Sequence, residues 1–362
     1  MRGKGLFRLQ LSKSLDGTQG EKIMKTSRRE FINSGIAVAG AAGVAGAVVA
    51  AAAAPAMAQS SSEDSHTTFS TARSPHVPVK IMDTDAMPWP STIGGRKILY
   101  GTEDRTGSHL TIIRMPIGRP GGTNHYHEFH EWAYWLTGDF VNNEYTNPYQ
   151  RLGDFQQFRE GIFLDRPPYS LHGGEPDRLD SQVGGTCLIM EEGGRSVSVI
   201  PGNRGYSEDF KKVKQWSVPR IIDTIAEMPW EPDAEHPSRE GVLVKHLVND
   251  QQRGFRATLW RVAQGFEASM AADFARPYYY KQALEMNFVL NGDLRIQTYA
   301  APGDKAEAIT LGKSFYCERA PMSIFGLADD GVVSEAGCVW LQVTYAKGAV
   351  IPNIPIEDKT FV

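Results

Sequence analysis

The sequence predicts an all-β protein made of two tandem, jelly-roll-like β-barrels, and three observations carry that prediction. Short segments recur in the same order roughly 150 residues apart. The apolar, β-branched runs are strand-length and punctuated by Gly, Pro, Asn and Asp. Only SEDFKKVKQW at Ser207–Trp216 reads as a helix, and it falls where the two copies join.

The first element of the chain is not expected to belong to the fold. The segment KTSRREFINSG carries the paired Arg28 and Arg29, an Ala/Val/Gly-rich run follows from Ile36 to Ala54, and PAMAQ closes it. A basic region, an apolar region and a small-x-small site make an export signal over residues 1–58, with cleavage expected after Ala58 and Met24 a plausible start. The twin arginines point to the Tat route and a periplasmic or secreted protein; the competing reading is an N-terminal membrane anchor. Removing the segment takes eight Lys/Arg and three Asp/Glu with it, leaving 30 basic and 39 acidic residues, a net charge of −9. That balance argues against nucleic acid as a partner. Residues 59–78 are rich in Ser, Thr and His and read as a disordered leader.

The two copies follow, at residues 79–218 and 219–354, with a tail at 355–362. IMDTDAMPW at Ile81–Trp89 returns, with one residue inserted, as IIDTIAEMPW at Ile221–Trp230. TIIRMPIG at Thr111–Gly118 returns as TLWRVAQG at Thr258–Gly265, and WLTGDF at Trp135–Phe140 as VLNGDL at Val289–Leu294. A period this long is too great for a solenoid, so each copy is expected to be a domain. HLTIIRMPI, AYWLTGDF, TCLIMEEG, VLVKHLV, RATLWRV, NFVLNGDLRIQTY and CVWLQVTY all read as strands. Cys187, Cys317 and Cys338 cannot all pair; Cys317 and Cys338 form either one bridge or two buried thiols. No Cys-x-x-Cys is present, which argues against thiolate metal binding.

GGTNHYHEFHEWAYWLTGDF, from Gly121 to Phe140, holds three of the nine histidines: His125, His127 and His130. If the stretch is one strand, His125, His127 and Glu131 share a face and His130 takes the other. Neutral imidazole with carboxylate suits Mn, Fe, Ni, Cu or Zn. Phe129 and Trp135 share the ligands' parity and either wall a pocket or belong to the core.

The pattern resembles the first motif of the cupin superfamily, carried by His125, His127, Glu131 and Gly138, with Gly118 or Gly121 near the leading glycine but off its usual spacing. GIFLDRPPYSLH resembles the second motif at Gly161, Pro167 and His172, with Tyr169 in place of the middle glycine. The resemblance implies a bicupin and adds His172 as a fourth ligand, so that His125, His127, Glu131 and His172 hold one divalent transition metal per chain (Fe, Mn, Cu, Ni or Zn). The second copy departs from the pattern. Counting back from Glu285, the histidine positions fall on Tyr279 and Lys281, or on Tyr278 and Tyr280, and the later one on Gly326 after Pro321. The second barrel is therefore expected to be metal-free, with RPYYYK at Arg276–Lys281 either packing or binding a ligand of its own.

Sites of three histidines and one glutamate resemble those of quercetinase-like and other ring- or C–C-cleaving dioxygenases, of oxalate decarboxylases and of several isomerases. MPWEP with GVLVKHLVND is also similar to the framework of small cupins like dihydroxyacetophenone dioxygenase. The resemblance implies an exported metal-dependent dioxygenase acting on a small enolisable or phenolic molecule, with Glu131 as a ligand or as the base that takes the substrate's hydroxyl proton. The alternative is a non-catalytic periplasmic binding or sensing protein with a structural metal. The expected partner is a small-molecule substrate, with no nucleic acid and no stable membrane anchor after processing; a homo-oligomer is compatible with this reading. Replacing Arg28 and Arg29 by Lys should block export, and the exported protein should begin at or near Gln59. Membrane-bound, unprocessed chain on fractionation would support the anchor instead.

Overall fold

The structure is a computed structural model that describes residues 77–91, 94–102, 104, 107–118, 124–146, 150, 153–173, 181–198, 217–234, 240–271, 278–279, 283–300, 305–327, 331–346 and 354–355. The export segment, most of the leader, the Ser207–Trp216 segment and most of the tail lie outside them. Regular structure among the described residues is β, apart from one 3-10 turn at Ala268–Ala271. No helix among them is long and apolar enough to cross a membrane. The first copy supplies β1 (Lys80–Asp83), β2 (Gly95–Tyr100), β3 (His109–Met115), β4 (His125–His127), β5 (Glu131–Glu144), β6 (Asp154–Arg159), β7 (Ile162–Arg166), β8 (His172–Gly173), β9 (Gly185–Glu191) and β10 (Ser196–Ser198). The second opens with β11 (Arg220–Asp223) and β12 (Glu231–Pro232), then β13 (Val242–Asp250), β14 (Phe255–Val262) and β15 (Phe266–Glu267). After the 3-10 turn come β16 (Tyr278–Tyr279), β17 (Ala283–Gly292), β18 (Leu294–Thr298), β19 (Glu307–Leu311) and β20 (Phe315–Arg319). β21 (Phe325–Leu327), β22 (Val332–Ser334), β23 (Cys338–Ala346) and β24 (Ile354–Pro355) complete it.

Strand alternation explains why so many strands read as unbroken apolar runs. On β5, Ala133 and Trp135 face the interior of the first barrel, where they meet Ile113, Phe158 and Leu164. Trp132 and Tyr134 face the other way, into a cluster that also contains Phe255, Leu259, Phe288 and Leu341 from the second copy. β23 does the same, sending Trp340 and Cys338 into its own barrel and Leu341 and Val343 toward the first. Both faces are dry, so both faces carry large side chains. A Trp132 Nε1–H donates to Tyr345 Oη across this shared core at 2.7 Å. The three cysteines are buried free thiols, and burial pushes the Cys317 thiol up to about 12. Cys317 and Cys338 therefore form no bridge.

The recurring IMDTDAMPW segment has a specific task. β1 of the first copy pairs antiparallel with β20 of the second, and β11 of the second copy pairs with β7 of the first. Each copy thus lays its opening strand into the other's sheet. The threonine after each strand hooks the exchanged arm in place: Thr84 Oγ1 donates to Ser314 O at 2.7 Å, and Thr224 Oγ1 to Gly161 O at 2.6 Å. Their carbonyls then accept from buried lysines, Lys97 at 2.7 Å and Lys245 at 2.6 Å. The same lysines lie over the tryptophan that ends each segment, 4.2 Å from Trp89 and 4.5 Å from Trp230. Asp83 and Asp223 accept from the backbone N–H groups two and three residues on, which closes the turn.

The GD pair of WLTGDF and VLNGDL also has one role in both copies. Gly138 and Gly292 take φ of 97° and 78°. A Cβ at either position would lie 2.1 Å from Gly184 O or 1.7 Å from Gly337 O, so only glycine fits. Thr84→Val and Thr224→Val keep side-chain shape and remove one donor each. Each should cost about 1 kcal/mol in urea unfolding, and together they should add. A silent double variant would mean the exchanged arms do not hold the barrels together.

Candidate metal centre

β4 is three residues long because it is wedged between two short partners. Its register sets His125 directly opposite His172 on β8, and Tyr126 opposite Val197 on β10. Tyr126 turns away from its histidine neighbours and packs, fully buried, with Tyr145 and Leu171. That anchor leaves His125 and His127 on the other face with His172. One ligating atom from each of the three lies within 4.8 Å of the others. The His125 and His172 ring centroids are 4.1 Å apart, and each is 5.0 Å or less from that of His127.

Two of the three imidazoles are held in the state a metal requires. Burial, reinforced by His125 and Arg166, pushes His127 down to about 3. Burial, with Arg166 and the other two histidines, holds His172 well below its ordinary value. Both are neutral, so a cation need displace no proton from them. His172 Nδ1–H donates to Ser170 O at 3.0 Å, which directs Nε2 to the cluster. His127 Nδ1 is buried without a hydrogen-bond partner, 3.3 Å from Glu131 Oε2. Convergent imidazole nitrogens, one fixed in its tautomer, fit a divalent transition metal. The Phe129 ring stacks on His127, centroids 4.5 Å apart and 12° from parallel. Trp135 instead stacks on Phe158 at 4.3 Å, inside the barrel core.

Glu131 lies beside the three-imidazole group rather than in it, and shares a second group with His127 and Glu191. Chain parity does not explain this position, because β4 ends at His127 and β5 begins at Glu131 after a bend at Glu128–Phe129. Glu131 Oε1 accepts from Arg166 Nη1, and Arg166 Nη2 donates to Glu144 as well. Burial pushes the Glu144 carboxyl up, against the pull of Arg166. His130 is not in either group. Its Nε2 meets Asp165 and its Nδ1 meets Glu192, both at 2.7 Å, and its ring is edge-on to Phe255 of the second barrel. It ties the two barrels together.

Arg166, Glu144 and Glu191 escaped the sequence reading. For Arg166 a signal existed: RPPYSLH and RAPMSIF both begin with arginine. Arg319 pairs with Glu285 at 2.7 Å in the second barrel, at the register that joins Arg166 to Glu131 in the first. The alignment also corrects one position. Asn143 and Glu144 pair with Gly173 and His172, while Gln297 and Thr298 pair with Gly326 and Phe325. The counterpart of His172 is therefore Phe325, not Gly326. Tyr169 and Met322, at φ of 68° and 72°, fill the motif's glycine position in both copies and hid that match. Arg319 lies over the Phe325 ring at 3.8 Å, where the first barrel has an imidazole. β16 contains Tyr278 and Tyr279, whose side chains lie outside the description, as do Arg276, Tyr280 and Lys281.

Both candidate metal groups among the described residues belong to the first barrel. Purified protein should hold about one metal per chain. His127→Ala should lose most of it, and Glu285→Ala should leave the count unchanged. Two equivalents that survive His127→Ala would place a metal elsewhere.

No protein-family model matches the sequence, and no curated protein matches it. Among solved structures the chain is similar to a candidate dioxygenase from Nostoc punctiforme PCC 73102, at 12% identity over 77% of this chain and 87% of that one, with a TM-score of 0.52. It is also similar to vicilin from Corylus avellana (hazelnut), at 10% identity over 76% and 87%, TM-score 0.47. Oxalate decarboxylase from Bacillus subtilis gives 14% identity over 78% and 79%, TM-score 0.45. At such identities the likeness concerns fold alone, and it agrees with the strand order: the chain has a bicupin-type fold, two β-barrels in tandem.

Proposed function

We propose that the first barrel is the site of an exported metal-dependent dioxygenase that cleaves a small enolisable or phenolic compound. The observation that carries this reading is the convergence of three imidazoles within 4.8 Å, with a carboxylate against one of them. His125, His127 and His172 would hold the ion. A divalent transition metal with open positions supplies Lewis acidity to an ionising substrate oxygen and a place for dioxygen.

The chain's own residues supply the rest. Arg166 fixes Glu131 Oε1, leaving Oε2 facing the imidazole group. We assign that oxygen to the substrate's hydroxyl proton, taken up as the substrate binds. Phe129 covers one face of His127 and offers an apolar wall for a planar molecule. The second reading, a binding or sensing protein with a structural metal, predicts the same ligands but no turnover.

Oxygen uptake on addition of enolisable and phenolic compounds separates the two. Glu131→Gln keeps shape and an acceptor oxygen but cannot take the proton. It should retain most of the metal and lose roughly 10²–10⁴-fold in turnover. Full activity in that variant would remove Glu131 from the chemistry. No uptake with any such compound in metal-replete protein would favour the binding role.

A further inference from the structure

One row of residues crosses the first barrel at the level of the imidazoles. His109 on β3 stands opposite Glu191 on β9, Glu191 opposite Glu131 on β5, and Glu131 opposite Arg166 on β7. On β5 and β9, Glu131 and Glu191 have the parity of Trp135 and Cys187, which face the barrel interior. Two carboxylates thus face each other directly across adjacent strands, an arrangement that is destabilising unless cations balance it. Each has its own: Arg166 binds Glu131, while His109 Nε2 at 2.7 Å and Arg96 Nη1 at 3.0 Å hold Glu191 Oε2. A third neighbour is shared. His127, Glu131 and Glu191 each bring one ligating atom within 4.8 Å of the others, and the buried His127 Nδ1 has no hydrogen-bond partner.

The second barrel serves as an internal comparison. Its corresponding row is Arg256, Thr344, Glu285 and Arg319. The Glu–Arg pair is therefore part of the barrel framework and is present where the imidazole of His172 has become Phe325. Glu191 is different: its counterpart is Thr344, and the counterpart of His109 is Arg256. The facing carboxylates occur in the barrel that carries the histidines.

We infer that Glu191, clamped by His109 and Arg96, is a positioning residue of the metal centre that acts through His127. With a cation on the other nitrogen of His127, the Nδ1–H is left for a carboxylate to accept. Glu191 supplies that acceptor beside Glu131, within the group the two carboxylates form with His127. Its negative charge also offsets Arg166 beside a site meant for a cation. Carboxylates behind metal-bound histidines orient the ring and raise its basicity in this way. The inference rests on the metal assignment of the proposed function and not on the reaction.

The test uses cobalt(II) as the probe, titrated into metal-stripped full-length protein against a chromogenic chelator. Glu191→Gln should weaken cobalt affinity by about 10–100-fold. It should leave the thermal midpoint of the stripped protein about unchanged, because the like-charge pair that is relieved offsets the contacts to His109 and Arg96 that are weakened. The visible ligand-field spectrum of the loaded variant should match that of the parent, since no ligand is lost. His109→Gln should move affinity in the same direction. Unchanged affinity in Glu191→Gln would overturn the inference. So would a fall in affinity matched by a fall in the stripped protein's stability, which would mark a structural residue. A second cobalt equivalent in the parent that Glu191→Gln abolishes would make Glu191 a ligand instead. Failure of the metal reading would look different: the parent itself would bind no cobalt, or would bind it equally well as His127→Ala.

Discussion

The reciprocal exchange of opening strands is the constraint on which the rest of this molecule depends. Each sheet buries one face inside its own barrel and the other against its neighbour, so neither barrel has a wetted side on the strands that meet. β1 and β11 complete those sheets by crossing between copies. The hooks at Thr84 and Thr224 and the lysine contacts to their carbonyls are buried hydrogen bonds, and an unpaired carbonyl in that setting would cost about 1–3 kcal/mol. The shared core then fixes β5 and β9. Those two strands carry Glu131 and Glu191 to the edge of the imidazole cluster.

The internal repeat makes the molecule its own control. Both barrels keep the Glu–Arg pair, the glycine that lets two backbones approach, and the aspartate that caps the opposite turn through Asp139 or Asp293. These are framework features, present with or without histidines. What distinguishes the first barrel is the set His125, His127, His172, Glu144 and Glu191. Thr298, Phe325 and Thr344 stand where Glu144, His172 and Glu191 would be. The second barrel keeps the buried charge pair and has Tyr278 and Phe325 at the positions of His125 and His172.

Much of this was legible in the sequence, and the remainder was hidden for physical reasons. Strand-length apolar runs and the duplicated segments gave the tandem all-β architecture, because alternation and turn chemistry are local. The purpose of IMDTDAMPW was not legible: Thr84 meets Ser314 across 230 positions, and no local pattern encodes such a partner. His125, His127 and His172 stood out through motif spacing. Parity carried from His127 to Glu131 crossed a bend between strands, so it could not reveal that Arg166 and His127 flank that carboxylate. Glu191 gave no signal, since its meaning lies in the residue opposite it on β5. Tyr169 and Met322 concealed a match because both adopt a backbone conformation usually left to glycine.

The central claim is that a metal belongs among three imidazoles of the first barrel, with Glu131 and Glu191 beside one of them. Anomalous diffraction from crystals of protein matured in its own host addresses it most directly. The account predicts one strong peak within bonding distance of His125, His127 and His172, and none in the second barrel. A peak beside Glu285 and Arg319, or metal-bearing protein with no peak at the three histidines, would contradict it.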